Sequence, residues 1–364
     1  MALTIKFTVA ITLFLLLGVA LAGIFMQPHV STDGWNLKES DFPANASTPE
    51  KMKFLLGYAV LAPSIYNSQP WKFNISENEI LILADKTRWL QVADAAKREQ
   101  YLSLGAALEN LVLAAEHFGY SCDITYLPGP EDAIARAILK PEGSIEPSQN
   151  TSLFEAIVSR STCRQIYEER SPSPEDLQNL MSQSGVREGH IFLISDQDLR
   201  KRFLNLTVQA DQIQYSDANY KSELGHWLGQ GVMGPTGLQA LIAQITVVLL
   251  NYGPQQMHGD AMLVNSTPVI GFICTDGNDR ESQIEAGRLL ERFWLAATVS
   301  GLCLHPMSQT LEVAETKAKM AEILPPGSGH LQQSFLLGYP RTIEEHTPRR
   351  AVDDVLVSVP MVKE

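Results

Sequence analysis

The chain of 364 residues is short of positive charge and of cysteine. Its 28 lysines and arginines stand against 41 aspartates and glutamates, so the formal net charge is −13. Because a protein that follows a phosphate backbone needs basic surface, this balance argues against nucleic-acid binding. The four cysteines, Cys122, Cys163, Cys274 and Cys303, lie far apart and form no C-x-x-C pair. This spacing excludes a local zinc or redox motif and predicts small buried side chains.

Several signatures of catalysis are also missing. The eight histidines include no H-E-x-x-H run and no comparable metal-ligand spacing. There is no G-x-S-x-G elbow, no Walker loop, and no G-x-G-x-x-G after a strand. The composition is otherwise that of a globular protein, with 45% hydrophobic and 19% charged residues. No metal ligand and no catalytic side chain is therefore assigned, and the polar loops become the candidate sites.

The N-terminus carries a long hydrophobic run. Residues 7–26 are mostly apolar, and about twenty such residues are the length that a membrane-spanning helix needs. Ala20-Leu21-Ala22 offers a small-x-small cleavage site, so within residues 1–26 an uncleaved anchor and a cleaved signal peptide both stay open. Either alternative predicts an extracytoplasmic globular part. Residues 27–48, with little periodicity, are predicted to be a linker.

The rest of the chain contains an internal repeat. When the numbering is shifted by 182, residues 98–119 and 280–301 share nine identities in 22 positions without a gap. Gly105 falls on Gly287 at the same helical phase, which predicts two long helices in close contact. We therefore predict an α+β fold built from two homologous halves, residues 49–150 and 151–364, fused as an intramolecular pseudo-dimer.

The second half holds an insertion, residues 205–259, without counterpart in the first half. Its aromatic residues and glycine-rich centre predict helices joined by a flexible loop that could cover a pocket. The apolar run at 238–250, about thirteen residues, is too short for a typical membrane span and predicts a buried helix.

Two polar segments are the candidate binding elements. The stretch Ala62–Phe73 reads APSIYNSQPWKF, and its prolines predict a shaped loop carrying Pro63, Ser64, Asn67 and Gln69. Such a loop could hold a planar polar ligand, or its side chains could cap their own backbone.

The second segment, residues 159–164, reads SRSTCR. Two arginines four apart, Arg160 and Arg164, with the hydroxyls of Ser161 and Thr162 between them suit a phosphate group. A solvated basic turn is the alternative.

The run Pro63-Ser64-x-x-Asn67-x-Gln69-Pro70-Trp71 resembles the flavin-binding loop of the nitroreductase family, in its Acg-type branch. The SRSTCR segment is similar to the motif that grips the phosphate of flavin mononucleotide (FMN) in that family. Arg349 and Arg350 resemble its second phosphate contact. Pro306, Ser308 and Gln309 occupy the place of a P-x-E-G run near flavin N5, with Ser-Gln in place of Glu-Gly.

This resemblance implies a nitroreductase-like fold and an FMN-dependent oxidoreductase that passes hydride or electrons to a small aromatic or nitro-type acceptor. It implies one composite site per chain, with the loop from the first half and the arginines from the second. NAD(P)H or another reductant would be the donor, and the chain would act as a monomer. Two alternatives stay open: a non-catalytic flavin-sequestering or ligand-storage protein with the insertion as a lid, and a tethered structural protein with an empty pocket.

Overall fold

The computed structural model describes residues 30–129, 131–142, 150–186 and 190–358. Within these residues the helices are α1 (Thr48–Ala59), α2 (Arg98–His117), α3 (Thr151–Ala156), α4 (Pro174–Ser184), α5 (Gln197–Ser216), α6 (Ala218–Gly229), α7 (Gly237–Leu249), α8 (Gly253–Ser266), α9 (Arg280–Val299), α10 (Gln309–Glu312), α11 (Ala314–Ala321) and α12 (Val352–Val355). The strands are β1 (Trp71–Ser76), β2 (Glu79–Ala84), β3 (Tyr120–Tyr126), β4 (Ala133–Pro141), β5 (Ile191–Ile194), β6 (Val269–Thr275), β7 (Cys303–Pro306) and β8 (His330–Gly338).

The strands form two antiparallel sheets of four, which confirms the α+β class. The first has the order β1-β2-β4-β3 and the second the order β5-β6-β8-β7, so the two sheets share one connectivity. In the first sheet the predicted turn at residues 77–78 joins β1 to β2, with Ser76 opposite Glu79. The sequence did not predict β4, which lies between β2 and β3.

The long helices α2 and α9 cross at the two repeated glycines. A β-carbon added to Gly105 would lie 2.0 Å from the carbonyl oxygen of Ile284. A β-carbon added to Gly287 would lie 2.0 Å from the carbonyl oxygen of Leu102. Only glycine permits this backbone approach, so the predicted close contact of the two helices is confirmed.

The two ends of the described chain pack on the first sheet and on each other. Leu356 pairs with Phe73 of β1, and Ser31 pairs with Arg349. Trp35 is only 9% exposed and donates from Nε1 to the carbonyl of Thr347 at 2.9 Å. In its described part the predicted linker is therefore a docked segment, because one indole finds both apolar cover and a hydrogen-bond acceptor.

The predicted insertion is helical and lies within α5 to α8. The expectation of a buried helix at 238–250 is wrong, since in α7 only Ala240 and Val247 are buried. Leu238, Ile242 and Leu249 are exposed. No helix in the described part of the chain is long and apolar enough to cross a membrane. The predicted anchor or signal peptide, residues 1–26, lies outside the described residues.

All four cysteines are unpaired. Cys163, Cys274 and Cys303 are buried and Cys122 is half-buried, so the prediction of buried side chains is confirmed for three of the four.

Candidate functional site

A cavity of about 810 Å³ lies beneath the insertion, beside the loop and the arginine segment. This volume is typical of a site for a cofactor or a small molecule. The lining residues come from the loop at 63–67, helix α2, the segment 160–164, the segment 305–312 and residues 345–349, together with Trp35, Gln333, and Leu290 and Trp294 of α9. The insertion supplies much of the remaining wall through α5, α6, α7 and α8.

Eleven of the thirteen residues that the sequence predicts for the site line this cavity. They are Pro63, Ser64, Asn67, Arg160, Ser161, Thr162, Arg164, Pro306, Ser308, Gln309 and Arg349. They come from four separate parts of the sequence, and the fold brings them to one cavity. Gln69 and Arg350 are not among the lining residues.

Gln69 and Arg350 bind each other instead of facing the cavity. The Gln69 side-chain oxygen accepts from the backbone N–H of Arg350 at 2.7 Å. The Arg350 guanidinium donates to the Gln69 carbonyl at 3.1 Å and lies 3.4 Å from the carboxylate of Asp85. Their geometry fits a structural role in which the C-terminal segment is held against the start of β1.

The loop is backbone-strained and held by its asparagine. Tyr66, Asn67 and Gln69 have φ of 50°, 49° and 50°, a left-handed conformation that costs free energy in residues other than glycine. Asn67 Oδ1 accepts from the guanidinium of Arg349 at 2.9 Å. Its Nδ2 donates to the carbonyls of Val232 at 2.7 Å and Pro348 at 2.8 Å. Both amide hydrogens are thus used, so Asn67 ties the loop to the insertion and to the C-terminal segment.

Three arginines cluster at one end of the cavity. Arg160 is 2% exposed and donates to the Leu61 carbonyl at 3.3 Å, but its Nε and Nη1 have no hydrogen-bond partner. The nearest carboxylate, Glu291, lies 3.6 Å from Nε, which is too long for a hydrogen bond. Arg349 Nε is also buried without a partner. Arg164 completes the cluster on the cavity wall.

The charges in this cluster are poorly compensated. Burial lowers the pKa of Arg160, Arg164 and Arg349, and the charge of Arg160 lowers the pKa of Arg349 further. Burial also raises the pKa of Glu291 to about 7, although Arg160 and Arg349 oppose that rise. A single anion among the three guanidinium groups would satisfy the orphaned N–H groups and relieve their mutual repulsion.

Aromatic rings flank the arginines. The Arg160 guanidinium lies 4.5 Å from the ring centroid of Trp294, and that of Arg349 lies 4.7 Å from the ring centroid of Trp35. Trp35 stacks on His346, with ring centroids 4.0 Å apart. Sequence reasoning missed Trp35 and His346, because neither belongs to a motif and they are distant in sequence.

Another part of the cavity is acidic, which no sequence motif predicts. Asp211, Asp260 and Glu312 line the wall. Gln309 donates to Asp260 at 3.1 Å, and Gln214 donates to Glu312 at 2.6 Å. Burial raises the pKa of Asp211 to about 8 and that of Glu312 to about 8. Positions 211, 214 and 215 lie on one face of α5, because residues three and four apart are neighbours on a helix. This spacing is the sequence signal that could have grouped them.

His305 lies on the cavity wall as a neutral side chain. Its Nδ1 is 2.5 Å from the carbonyl oxygen of Cys163, an acceptor that fixes the proton on Nδ1. Burial lowers the pKa of His305 to about 4. Beside it, the Gln333 amide donates to Ser308 Oγ at 3.0 Å and to Glu99 at 3.2 Å. Ser308 is thus oriented by Gln333 rather than by its own neighbours in sequence.

The chain is similar to proteins that are named nitroreductases. No family model matches the chain. A protein of Mycobacterium tuberculosis strain H37Rv, provisionally named NAD(P)H nitroreductase Rv3131, is 26% identical over 317 residues, covering 84% of this chain and 91% of that protein. A second protein of this strain, provisionally named NAD(P)H nitroreductase acg, is 25% identical over 335 residues, covering 86% and 97% respectively. The chain is thus similar over most of its length to proteins named nitroreductases, as its motifs predict. These relatives support an oxidoreductase enzyme.

Solved nitroreductases are more remote. A nitroreductase with bound FMN from Desulfitobacterium hafniense aligns with 58% of this chain and 99% of its own, at 16% identity and a TM-score of 0.37. A likeness at this level carries no argument about the site. The candidate site is therefore defined by the residues of this chain alone.

Proposed function

We propose that this protein binds FMN in the cavity and passes hydride or electrons to a small aromatic or nitro-type acceptor. The observation that carries the proposal is the arginine cluster with its orphaned N–H groups, placed at one end of a cavity of about 810 Å³. FMN, when bound, supplies the hydride or electron transfer. NAD(P)H or another reductant is the proposed donor.

The residues at the cavity fit the parts of such a cofactor. Arg160 and Arg164 supply charged donors for a phosphate, and Ser161 and Thr162 add neutral hydroxyl donors. Leu102, Ala106 and Leu290 offer apolar wall for a flat ring system. Pro306 and Ser308 line the region where the resemblance implies the reactive edge of the ring.

The chain also has to keep water away from the transferred electrons. The insertion contributes Tyr215, Leu224, Met233 and Val247 to the wall, and these side chains exclude solvent from that side. At the acidic part of the wall, burial keeps Asp211 and Glu312 largely protonated at neutral pH, with pKa values raised to about 8. These carboxyls can therefore hold a proton near an acceptor that gains charge.

We further propose that the chain is a fused pseudo-dimer with one site. Support comes from the shared strand order of the two sheets and from the glycine contacts between α2 and α9. The loop carrying Asn67 precedes α2, while Arg160 and Arg164 follow residue 150, so both proposed halves contribute to one cavity. A monomer held to a membrane by residues 7–26, with its globular part extracytoplasmic, remains part of this proposal.

A flavin-sequestering function is the second candidate. Two contacts favour it, because both close the insertion onto the loop. Asn67 donates to the carbonyl of Val232 at 2.7 Å, and the hydroxyl groups of Tyr66 and Tyr220 are 2.8 Å apart. An insertion that stayed closed would hold FMN and exclude an acceptor.

Titration of FMN into the apoprotein tests the proposal. Binding should saturate at one FMN per chain, and Arg164→Ala should weaken it by about 10- to 150-fold, because charge-assisted hydrogen bonds contribute about 1.5–3 kcal/mol. Arg202→Ala is the matched control, since it removes the same charge from an exposed position on α5. The control should change affinity less than about twofold, because a screened surface charge contributes little.

Other outcomes would count against the proposal. Two FMN molecules per chain, or equal affinity in Arg164→Ala and Arg202→Ala, would contradict the composite site, and absence of binding would contradict the cofactor. Steady-state turnover with a reductant and a nitroaromatic acceptor then separates the two candidate functions. Bound FMN without turnover would favour sequestration.

A further inference from the structure

The helix α7 presents an apolar face that nothing in the described structure covers. Leu238, Ile242, Ile245 and Leu249 are 55%, 55%, 47% and 74% exposed. Their spacing of four, three and four residues places them along one side of the helix. We call these four residues the α7 apolar face. Four aliphatic side chains in one exposed row are unusual on a soluble surface and mark a contact site.

The stretch of chain that carries this face has no acidic residue, lysine or arginine. Residues 224–259 contain no aspartate, glutamate, lysine or arginine, although charged residues make up 19% of the chain. Glu223 and Asp260 bound this stretch, and the face lies in its middle. This surface therefore does not suit a protein partner that is recognised through ion pairs.

The other sides of α7 are already occupied. Ala243, Thr246 and Val247 line the cavity. The helix α6 packs closely against another side, where a β-carbon on Gly225 would lie 2.4 Å from Val248 Cγ2. On Gly229 a β-carbon would lie 2.3 Å from the side-chain oxygen of Gln244. These contacts fix the rotation of α7, so the apolar face points outward because the helix is held that way.

The apolar N-terminal run is tied to this same part of the molecule. Val30 packs against the cluster that contains Leu224, Trp227 and Val247. Four peptide units separate residue 26, the end of the run, from Val30, and an extended chain covers at most about 3.6 Å per residue. Because four peptide units span at most about 14 Å, chain length alone limits how far a membrane entered by residues 7–26 can lie from Val30. Any membrane that receives this run comes close to α6 and α7.

We propose that the α7 apolar face seats in the interface of a lipid bilayer, next to the point where residues 7–26 enter it. A helix with one aliphatic side lies in the interfacial plane, with that side toward the acyl chains. The chain has a net charge of −13 and no basic residue within residues 224–259, so contact with lipid is apolar rather than electrostatic. It should accordingly persist with zwitterionic lipid and in high salt. Through α7 the bilayer would adjoin one wall of the cavity.

The test uses the full chain in phosphatidylcholine vesicles that contain a phosphatidylcholine spin-labelled on its acyl chain. Ile242→Cys places an environment-sensitive fluorophore on the face, and Glu175→Cys places it on exposed α4 as the matched control. Unsubstituted protein treated with the same reagent corrects for labelling of the native cysteines. Quenching by the spin-labelled lipid should be at least about twofold greater at position 242, and high salt should leave it unchanged.

Three results would overturn the proposal. Equal quenching at both positions would show that the face does not meet lipid. A fluorophore at 242 that is shielded from water yet not quenched by lipid would show a protein occupant, either a second copy of the chain or residues 7–26 folded onto the helix. Quenching that needs anionic lipid and disappears in salt would show electrostatic attachment elsewhere. FMN affinity is measured separately, so failure here leaves the proposed function standing.

Discussion

Replacing Gly287 with alanine should push α2 and α9 apart. The added β-carbon would lie 2.0 Å from the carbonyl oxygen of Leu102 and 2.8 Å from its α-carbon. Both are backbone atoms, so no side-chain rotation can relieve the clash. Non-bonded carbon atoms pack at about 3.5–4.0 Å. To reach that distance, the helices would have to move apart locally by roughly 1 Å or more.

The size of the effect follows from two opposing contributions. Overpacking of a close-packed interior costs about 1–3 kcal/mol, and a clash with backbone belongs at the upper end or beyond. Alanine recovers up to about 1 kcal/mol through its higher helix propensity. The expected net loss in the free energy of unfolding is therefore about 2 kcal/mol or more. Gly105→Ala should behave likewise, because its β-carbon meets the Ile284 carbonyl oxygen at 2.0 Å.

Gly259→Ala is a control that makes the same substitution but should raise, rather than lower, the free energy of unfolding. Gly259 lies within α8, and an added β-carbon there meets nothing within 4 Å. This variant should gain about 0.5–1 kcal/mol. Chemical denaturation followed by circular dichroism measures the free energy of unfolding of all three variants. The double variant Gly105→Ala/Gly287→Ala should lose less free energy than the sum of the two single variants, because one separation of the helices relieves both clashes. A Gly287→Ala protein as stable as the wild type would refute the reasoning.

Three further changes test the cavity wall and the chain ends. Trp35→Ala should lower the free energy of unfolding by about 3 kcal/mol, measured by urea denaturation, because a buried indole is lost; an unchanged midpoint would mean that residues 30–36 are a free linker. Asp211→Asn should stabilise the protein increasingly between pH 4 and pH 8, because burial raises the pKa of this carboxyl to about 8 and the wild type loses stability as pH rises from the unfolded-state pKa toward that value. Thermal unfolding from pH 4 to pH 8.5 checks this, and a pH-independent difference would contradict it. Tyr220→Phe removes the hydrogen bond to Tyr66 and should lower the free energy of unfolding by about 0.5–1.5 kcal/mol. Amide hydrogen exchange in α6 should become faster, and an unchanged rate would mean that this hydrogen bond does not hold the insertion against the loop.

The elements that the sequence predicts well are those with a strong local signal. The strand β2 has an aliphatic run at residues 80–83 and a short turn joins it to β1, while α2 has a long apolar period that ends before Gly119, whose φ is 88°. The strand β4 was missed because Ala133, Ala135 and Ala137 supply its buried side, and alanine is depleted in strands. Local pattern therefore decides which segments are recognised.

Long-range contacts are where the sequence falls short. Trp35 is 312 positions from its acceptor Thr347, and no periodicity links them. The apolar content of α7 predicted burial, but composition does not say whether a neighbour covers each side of a helix. Asn67 lines the cavity, and its bonds to Val232 and Pro348 could not be foreseen from its motif.

The two polar ends of the cavity constrain what it can hold at one time. A ligand without an anionic group would leave the buried N–H groups of Arg160 and Arg349 unpaired, at a cost of about 1–3 kcal/mol for each. At the acidic part, burial raises the pKa of Asp211 and Glu312 to about 8, so these carboxyls are largely neutral near pH 7 and offer a phosphate no positive charge. The arginine cluster is therefore the place for the phosphate of a cofactor. The acidic part suits a neutral acceptor that takes up a proton, so cofactor and acceptor would occupy different regions of one cavity and would not compete for the same charges.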